Sequence, residues 1–138
     1  RVDCGRTAGR LKVLLDTHAL LWFLLDDPAL SGTARELIRN PQTEVFVSPA
    51  SYWEIAIKIS IGKYRLPEPL AAFMDRELAR NRFDILPISV RHADRVARLP
   101  FHHRDPFDRL IVAQALEDTL PLLSADQIMD RYGAQRVW

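Results

Sequence analysis

Cysteine occurs once in the 138 residues, at Cys4. A single thiol excludes an intrachain disulfide and any zinc site built from several cysteines, and such sparing use suits a reducing cytoplasm. No run of about 18 apolar residues occurs, so no segment is long and apolar enough to cross a membrane as a helix. The opening decapeptide RVDCGRTAGR has no apolar stretch of the kind a secretory signal needs. Lysine is absent after Lys63, and neither internal repeats nor low-complexity tracts appear. What remains is the composition expected of a cytoplasmic globular domain. One domain suffices at this length, since a chain of about 150 residues hides roughly 70% of its unfolded surface.

The formal net charge is +1, but Arg1, Arg6 and Arg10 against Asp3 give the first ten residues +2, which leaves −1 for the rest. The basic balance therefore belongs to a tail, residues 1–11, expected to be disordered or non-native, with a single domain over residues 12–138. Within that domain one stretch is positive: Arg76, Arg80, Arg82, Arg91, Arg95, Arg98 and Arg104 stand against Glu77, Asp84 and Asp94. Such a bias suits phosphate binding. It suits a solvated helix face equally, because Arg91, Arg95 and Arg98 recur at helical spacing.

Hydrophobic patterning predicts strands alternating with helices. Val13-Leu14-Leu15 reads as a strand buried on both faces, with Asp16 or Thr17 capping a buried helix that begins at Ala19 and breaks before Pro28. Ser31 is the expected cap of a second helix, and EVFVS, residues 44 to 48, a second strand. Ser48-Pro49 then opens SYWEIAIKISIGK, where Ile55, Ile57, Ile59 and Ile61 alternate like a strand while Trp53, Ile57 and Ile61 fit one helical face; Gly62 ends either element. A helix over PEPLAAFMDRELARN leads to a third strand at 83–89, a helix capped by Ser89 and ending at Pro100, and a long helix through RDPFDRLIVAQALEDT. LPLLS makes a fourth strand, ADQIMDRYG a last helix and AQRVW a possible edge strand. The alternation implies a three-layer α/β/α fold around a parallel sheet of four to five strands.

Acids stand at the junctions. Asp16 ends the first strand, Glu54 lies early in the helix after the second, Asp126 follows the fourth, and Asp108 sits in the first turn of the long helix. Capping explains each separately: Ser51-x-x-Glu54 reads as a capping box, Asp105 with Pro106 as a helix start, and Asp126 as the last cap. Capping does not require that the acids meet. In a doubly wound sheet, however, the helix starts converge at the crevice where strand order reverses. Asp105 and Asp108, three residues apart, then face the same way. Carboxylates gathered there repel one another unless a cation compensates, and an all-oxygen set suits Mg²⁺ or Mn²⁺. His102 and His103 read as loop residues rather than ligands. Trp22, Tyr52 and Trp53 read as core or partner-facing surface.

LLDTHALLWFL, SYWEIAIKISIGK, HRDPFDRLIVAQAL and LPLLSAD, in this order, resemble the PIN-domain ribonucleases and specifically the VapC-type toxins of bacterial type II toxin–antitoxin pairs. The resemblance covers residues 12 to 138 and implies a PIN-like fold, a metal-dependent endoribonuclease that cleaves cellular RNA, and neutralisation by a cognate antitoxin. By motif it assigns Asp16, Glu54, Asp108 and Asp126 as the metal-binding and catalytic acids, with Asp105 and Ser124 as possible accessories. Many relatives carry threonine where Ser124 stands, and either hydroxyl can hold a carboxylate. The family also favours helix for the isoleucine alternation.

A homodimer or toxin–antitoxin hetero-oligomer is expected, the antitoxin docking on the apolar early helices through Leu20, Leu21, Phe23 and Leu24 together with the Trp53 helix. Two other readings compete. A receiver-like phospho-acceptor domain needs paired acids at the first strand and a late lysine, which this chain lacks. A catalytically inactive PIN-fold binding module is opposed by the presence of all four acids.

Overall fold

Strand β1 (Leu11–Leu15) occupies the middle of a five-stranded sheet of order β3-β2-β1-β4-β5, in which every neighbouring pair runs parallel. The computed structural model describes residues 10–138. The first nine residues of the expected tail lie outside the described residues, and Leu11, assigned to that tail, instead pairs with Thr43 as the first residue of β1. The other strands are β2 (Thr43–Val47), β3 (Asp84–Ile85), β4 (Leu122–Leu123) and β5 (Arg136–Val137). Six α-helices join them: α1 (Thr17–Leu24), α2 (Gly32–Arg39), α3 (Pro49–Ser60), α4 (Leu70–Arg80), α5 (Val90–Arg98) and α6 (Pro106–Glu117).

Three layers follow from the period of two along β1. Val13 and Leu15 enter one core with Leu20 of α1, Ile38 of α2, Ile55 of α3 and Phe73 of α4. Leu14 enters the other with Ile111 and Val112 of α6, Leu122 and Met129. Burial on both faces is why this strand reads as an unbroken apolar run. Truncating any of the three to alanine would cost about 2–5 kcal/mol for a leucine and less for Val13.

The local caps are the expected ones. Asp16, Ser31, Ser48 and Ser89 each accept a backbone N–H at a helix start, and Pro49 takes the first position of α3. Residues 49–60 are helical, so the isoleucine alternation is a helix, and Gly62 follows with φ of +78°, a conformation glycine adopts without strain.

Several expectations fail for identifiable reasons. The third strand does not extend over 83–89: only Asp84 and Ile85 pair with β2, Leu86 adds one N–H to Val47 O, and Pro87 has none to give. The last helix is a 3₁₀ segment, Gln127–Tyr132, closed by Gly133 at φ of +81°. Ser51 does not cap with Glu54; it lies inside α3, and its hydroxyl accepts from the Thr17 hydroxyl. Leu20 and Leu21 offer no docking surface, being buried, and Phe23 leans on Phe83 with ring centres 5.7 Å apart. The exposed apolar row is Trp53, Ile57 and Ile61, one face of α3.

Candidate metal centre

Strand order reverses between β1 and β4, so the chain leaves these neighbours toward opposite sides and opens a crevice at their carboxyl ends. Asp16 stands there as the N-cap of α1, its Oδ1 accepting the Ala19 N–H at 2.8 Å. Asp126 caps the 3₁₀ segment after β4, with Oδ1 accepting from Ile128 N. Ser124 links them: it hydrogen-bonds Asp16, and its Oγ accepts the Asp126 N–H at 3.0 Å. The hydroxyl contact between Thr17 and Ser51 at 3.1 Å ties the start of α1 to α3, which brings in Glu54 from the second turn. Asp105 caps α6 through Oδ1, accepting from Phe107 N and Asp108 N, and so aims Asp108 across the crevice.

The acids therefore meet. One carboxylate oxygen each from Glu54, Asp105 and Asp108 lies within 4.8 Å of the others, and a ring nitrogen of His103 makes a similar group with Asp108 and Asp126. Asp108 belongs to both. Asp16 is in neither group, yet its charge reaches Asp108 and Asp126.

Crowding has electrostatic consequences. Burial, reinforced by the charges of Asp105 and Asp16, pushes the Asp108 carboxyl from its ordinary 3.8 up to about 7. Burial also raises Asp16, against the hydrogen bonds from Ser124 and Ala19 that favour its charged form. Glu54 is 4% exposed; its Oε2 faces Lys58 Nζ at 3.4 Å, while its Oε1 is buried with no hydrogen-bond partner among the described residues. An orphaned buried carboxylate oxygen costs roughly 1–3 kcal/mol or more, and a hard divalent cation removes that cost. The donor set and the orphaned oxygen fit a hard divalent cation.

Asp105 acts as the expected cap and also contributes an oxygen to the cluster. His103, read from the sequence as a loop residue, lies at the centre of the site, with Nε2 2.9 Å from Asp126 and 3.2 Å from Asp108. Its position beside a capped helix whose first turn carries an acid was the one available signal. Much of the arginine bias is answered locally: Arg76 and Arg80 pair with Glu77, Arg95 with Glu117, and Arg98 with Asp94. Trp53 is 60% exposed and meets Phe107 edge-on at 5.4 Å, bordering the crevice. Tyr52 is half-buried against the β1 core, as is Trp22, which packs between His18 and Trp138 with its ring tilted to both.

The family model for the PIN domain matches residues 13–135. Over 59 residues, 43% of this chain, the sequence is 36% identical to Ribonuclease VapC16 of Mycobacterium tuberculosis, and the match spans only 40% of that relative's own length. Among solved structures, VapBC2 from Rickettsia felis bound to a DNA fragment from their promoter aligns with a TM-score of 0.69 at 16% identity, covering 93% of this chain and 99% of that one. FitAcB from Neisseria gonorrhoeae aligns with a TM-score of 0.62 at 17% identity, covering 91% and 96%. VapBC-1 from nontypeable Haemophilus influenzae gives 0.62 at 16%, covering 92% and 97%. At such identities the structural likeness is one of fold.

Proposed function

Because the chain belongs to the PIN domain family, we propose that it is a divalent-metal-dependent endoribonuclease of the VapC toxin type, acting on cellular RNA in the cytoplasm and neutralised by a cognate antitoxin. The observation that carries this reading is the crowding of carboxyls between α3 and α6: a buried Glu54 Oε1 with no hydrogen-bond partner among the described residues, on a residue whose other oxygen faces Lys58, beside an Asp108 carboxyl pushed up to about 7. Asp16, Glu54, Asp108 and Asp126 would hold Mg²⁺ or Mn²⁺, with Asp105 and Ser124 as accessories. When bound, such an ion supplies Lewis acidity toward the scissile phosphate and lowers the pKa of a water.

The chain's own contribution is preorganisation. Ser124 holds Asp16 and Asp126 together, the Thr17–Ser51 contact sets α3 against α1, and Asp105 fixes the first turn of α6. Carboxylates held in this way need little rearrangement as charge develops during reaction. The exposed row Trp53, Ile57 and Ile61 begins next to Glu54, where Trp53 meets Phe107, so an antitoxin seated on its Trp53 end would lie beside the crevice. A homodimer is also part of this reading; light scattering on the purified chain showing only monomer at micromolar concentration would count against it.

Cleavage of structured RNA with and without EDTA tests the function. Activity should vanish in chelator and return with Mn²⁺. Alanine at Asp16, Glu54, Asp108 and Asp126 should each abolish it, which also excludes a contaminating nuclease. Cleavage that persisted in EDTA, or four variants all within about tenfold of wild type, would sink the reading.

A further inference from the structure

We infer that His103 is a positioning residue of the metal centre, donating from its ring to Asp126 and so aiming the Asp126 and Asp108 carboxylates at a common ion without binding that ion itself. The inference rests on the reading of the acidic crevice as a metal centre; the motif HRDPFDRLIVAQAL begins with this histidine, but the resemblance gave it no role.

The ring's hydrogen bonds fix its chemistry. The backbone N–H of Asp105 donates to Nδ1 at 3.2 Å. An amide nitrogen can only donate, so Nδ1 is the acceptor and the proton of the neutral ring sits on Nε2. That Nε2 lies 2.9 Å from Asp126 Oδ2 and 3.2 Å from Asp108 Oδ2. A nitrogen that carries its proton has no lone pair for a cation but is a good donor to a carboxylate. Asp126 is therefore gripped at both oxygens, Oδ1 by Ile128 N and Oδ2 by His103.

The ring is itself held. The backbone N–H groups of His102 and His103 both donate to the Tyr132 hydroxyl, at 3.1 and 2.7 Å. One turn of chain earlier, the buried Arg109 guanidinium donates to the carbonyls of Pro100, Leu99 and Val96 and packs against the Phe101 ring. These anchors come from α6 and the 3₁₀ segment, the two elements that also carry Asp108 and Asp126. The Asp126 side chain is about one-third exposed, so without the Nε2–H it would be free to turn into solvent. Outer-shell donors of this kind are typically worth 10–100-fold in metal affinity.

Calorimetric titration of the full chain with Mn²⁺ and separately with Mg²⁺ tests the role, using wild type, His103→Ala and His103→Gln. The glutamine amide nitrogen reaches the same depth as Nε2 and donates, but offers no imidazole nitrogen. We expect His103→Ala to weaken both ions alike by about 10–100-fold and His103→Gln to recover most of the loss. Unchanged affinity in His103→Ala, alongside a lowered melting temperature, would make the ring a plain structural stitch and overturn the inference. A glutamine variant as weak as alanine, with Mn²⁺ hit harder than Mg²⁺, would make His103 a ligand and overturn it equally. Wild type that bound neither ion would overturn the metal centre itself, and the role of His103 with it.

Discussion

The two halves of the acidic centre share Asp108 but answer their charge differently. On the α3 side Glu54 is buried, one oxygen has no hydrogen-bond partner among the described residues, and the other faces Lys58 at 3.4 Å. On the β4 side Asp126 is partly solvated and accepts from both a backbone N–H and the His103 ring. Burial without donors builds a demand for a cation, whereas hydrogen bonding at a partly wet edge builds aim without demand. On the proposed reading, one half of the centre would need an ion and the other would point at it.

Asp108 is the residue whose loss should break both halves together. Asp108→Asn should lower RNA cleavage by at least about a hundredfold, more than an outer-shell change costs. It should also alter stability in EDTA. Between the ordinary carboxyl value of 3.8 and about 7, the native state keeps the Asp108 proton that the unfolded chain has released. Wild type therefore loses stability as pH rises through this window, and the stabilisation is gone above about pH 7. The variant should lack that part of the slope, keeping only what the raised Asp16 contributes. At pH 8 it should be more stable than wild type by about 1–2 kcal/mol, after discounting for the exposed fraction of the site. Urea melts at pH 5 and pH 8 check this; parallel slopes would mean that Asp108 is not strained by its neighbours.

Lys58 sharpens the comparison because it serves only the α3 side. Lys58→Met leaves Glu54 buried and unpaired, a change worth 3–5 kcal/mol in a fully buried pair and about 1–2 kcal/mol here, where the lysine is partly exposed. Mn²⁺ should then stabilise the variant more than it stabilises wild type. Equal metal responses in melting curves would show that Lys58 does not stand in for the ion.

Amide swaps should have opposite signs in the two halves. Glu54→Gln removes a buried charge and should leave the protein in EDTA as stable as before or slightly more so. Asp126→Asn keeps the cap, since asparagine caps as well as aspartate, but its one oxygen is then used there and its amide nitrogen, a donor, faces the His103 N–H, so that hydrogen bond is lost at a cost of about 0.5–1.5 kcal/mol at this partly solvated edge. Denaturation of both variants in EDTA compares them directly. The same sign in both would dissolve the distinction between demand and aim.

What could be read in the sequence was local. The caps at Asp16, Ser31, Ser48 and Ser89, the Pro49 helix start and the apolar run of β1 depend on residues within a few positions, and the structure keeps them all. The approach of the acids to one crevice was legible only through topology, because strand order places the ends of β1 and β4, and with them Asp16 and Asp126, next to each other although 110 residues separate them; Asp16 stays outside the two close groups. His103 does lie in a loop, as read, but its contacts were not legible for the same reason: its partners Asp126 and Tyr132 lie 23 and 29 residues away and carry no local signal. The false capping box at Ser51 shows the converse, a correct local pattern overridden when Ser48 and Pro49 start the helix three residues sooner. Leu20 and Leu21 looked like spare apolar surface because the sequence does not reveal how many helices share one sheet face.

The smallest effect concerns the rim. Trp53 meets Phe107 edge-on at 5.4 Å, joining the helix that carries Glu54 to the turn that carries Asp108, and it makes no such link to the His103 side. An aromatic pair of this geometry is worth about 0.5–1.5 kcal/mol beyond its buried area, and the exposure of Trp53 favours the lower end. Trp53→Ala should therefore cost about 0.5 kcal/mol in urea melts, Trp53→Phe less, and neither should change the Mn²⁺ affinity, because the carboxylates of the α3 side are held by the Thr17–Ser51 contact and the Asp105 cap rather than by the ring. If Trp53→Ala weakened Mn²⁺ binding as strongly as His103→Ala, the α3 side would also depend on outer positioning, and the contrast between the two halves would reduce to one of burial alone.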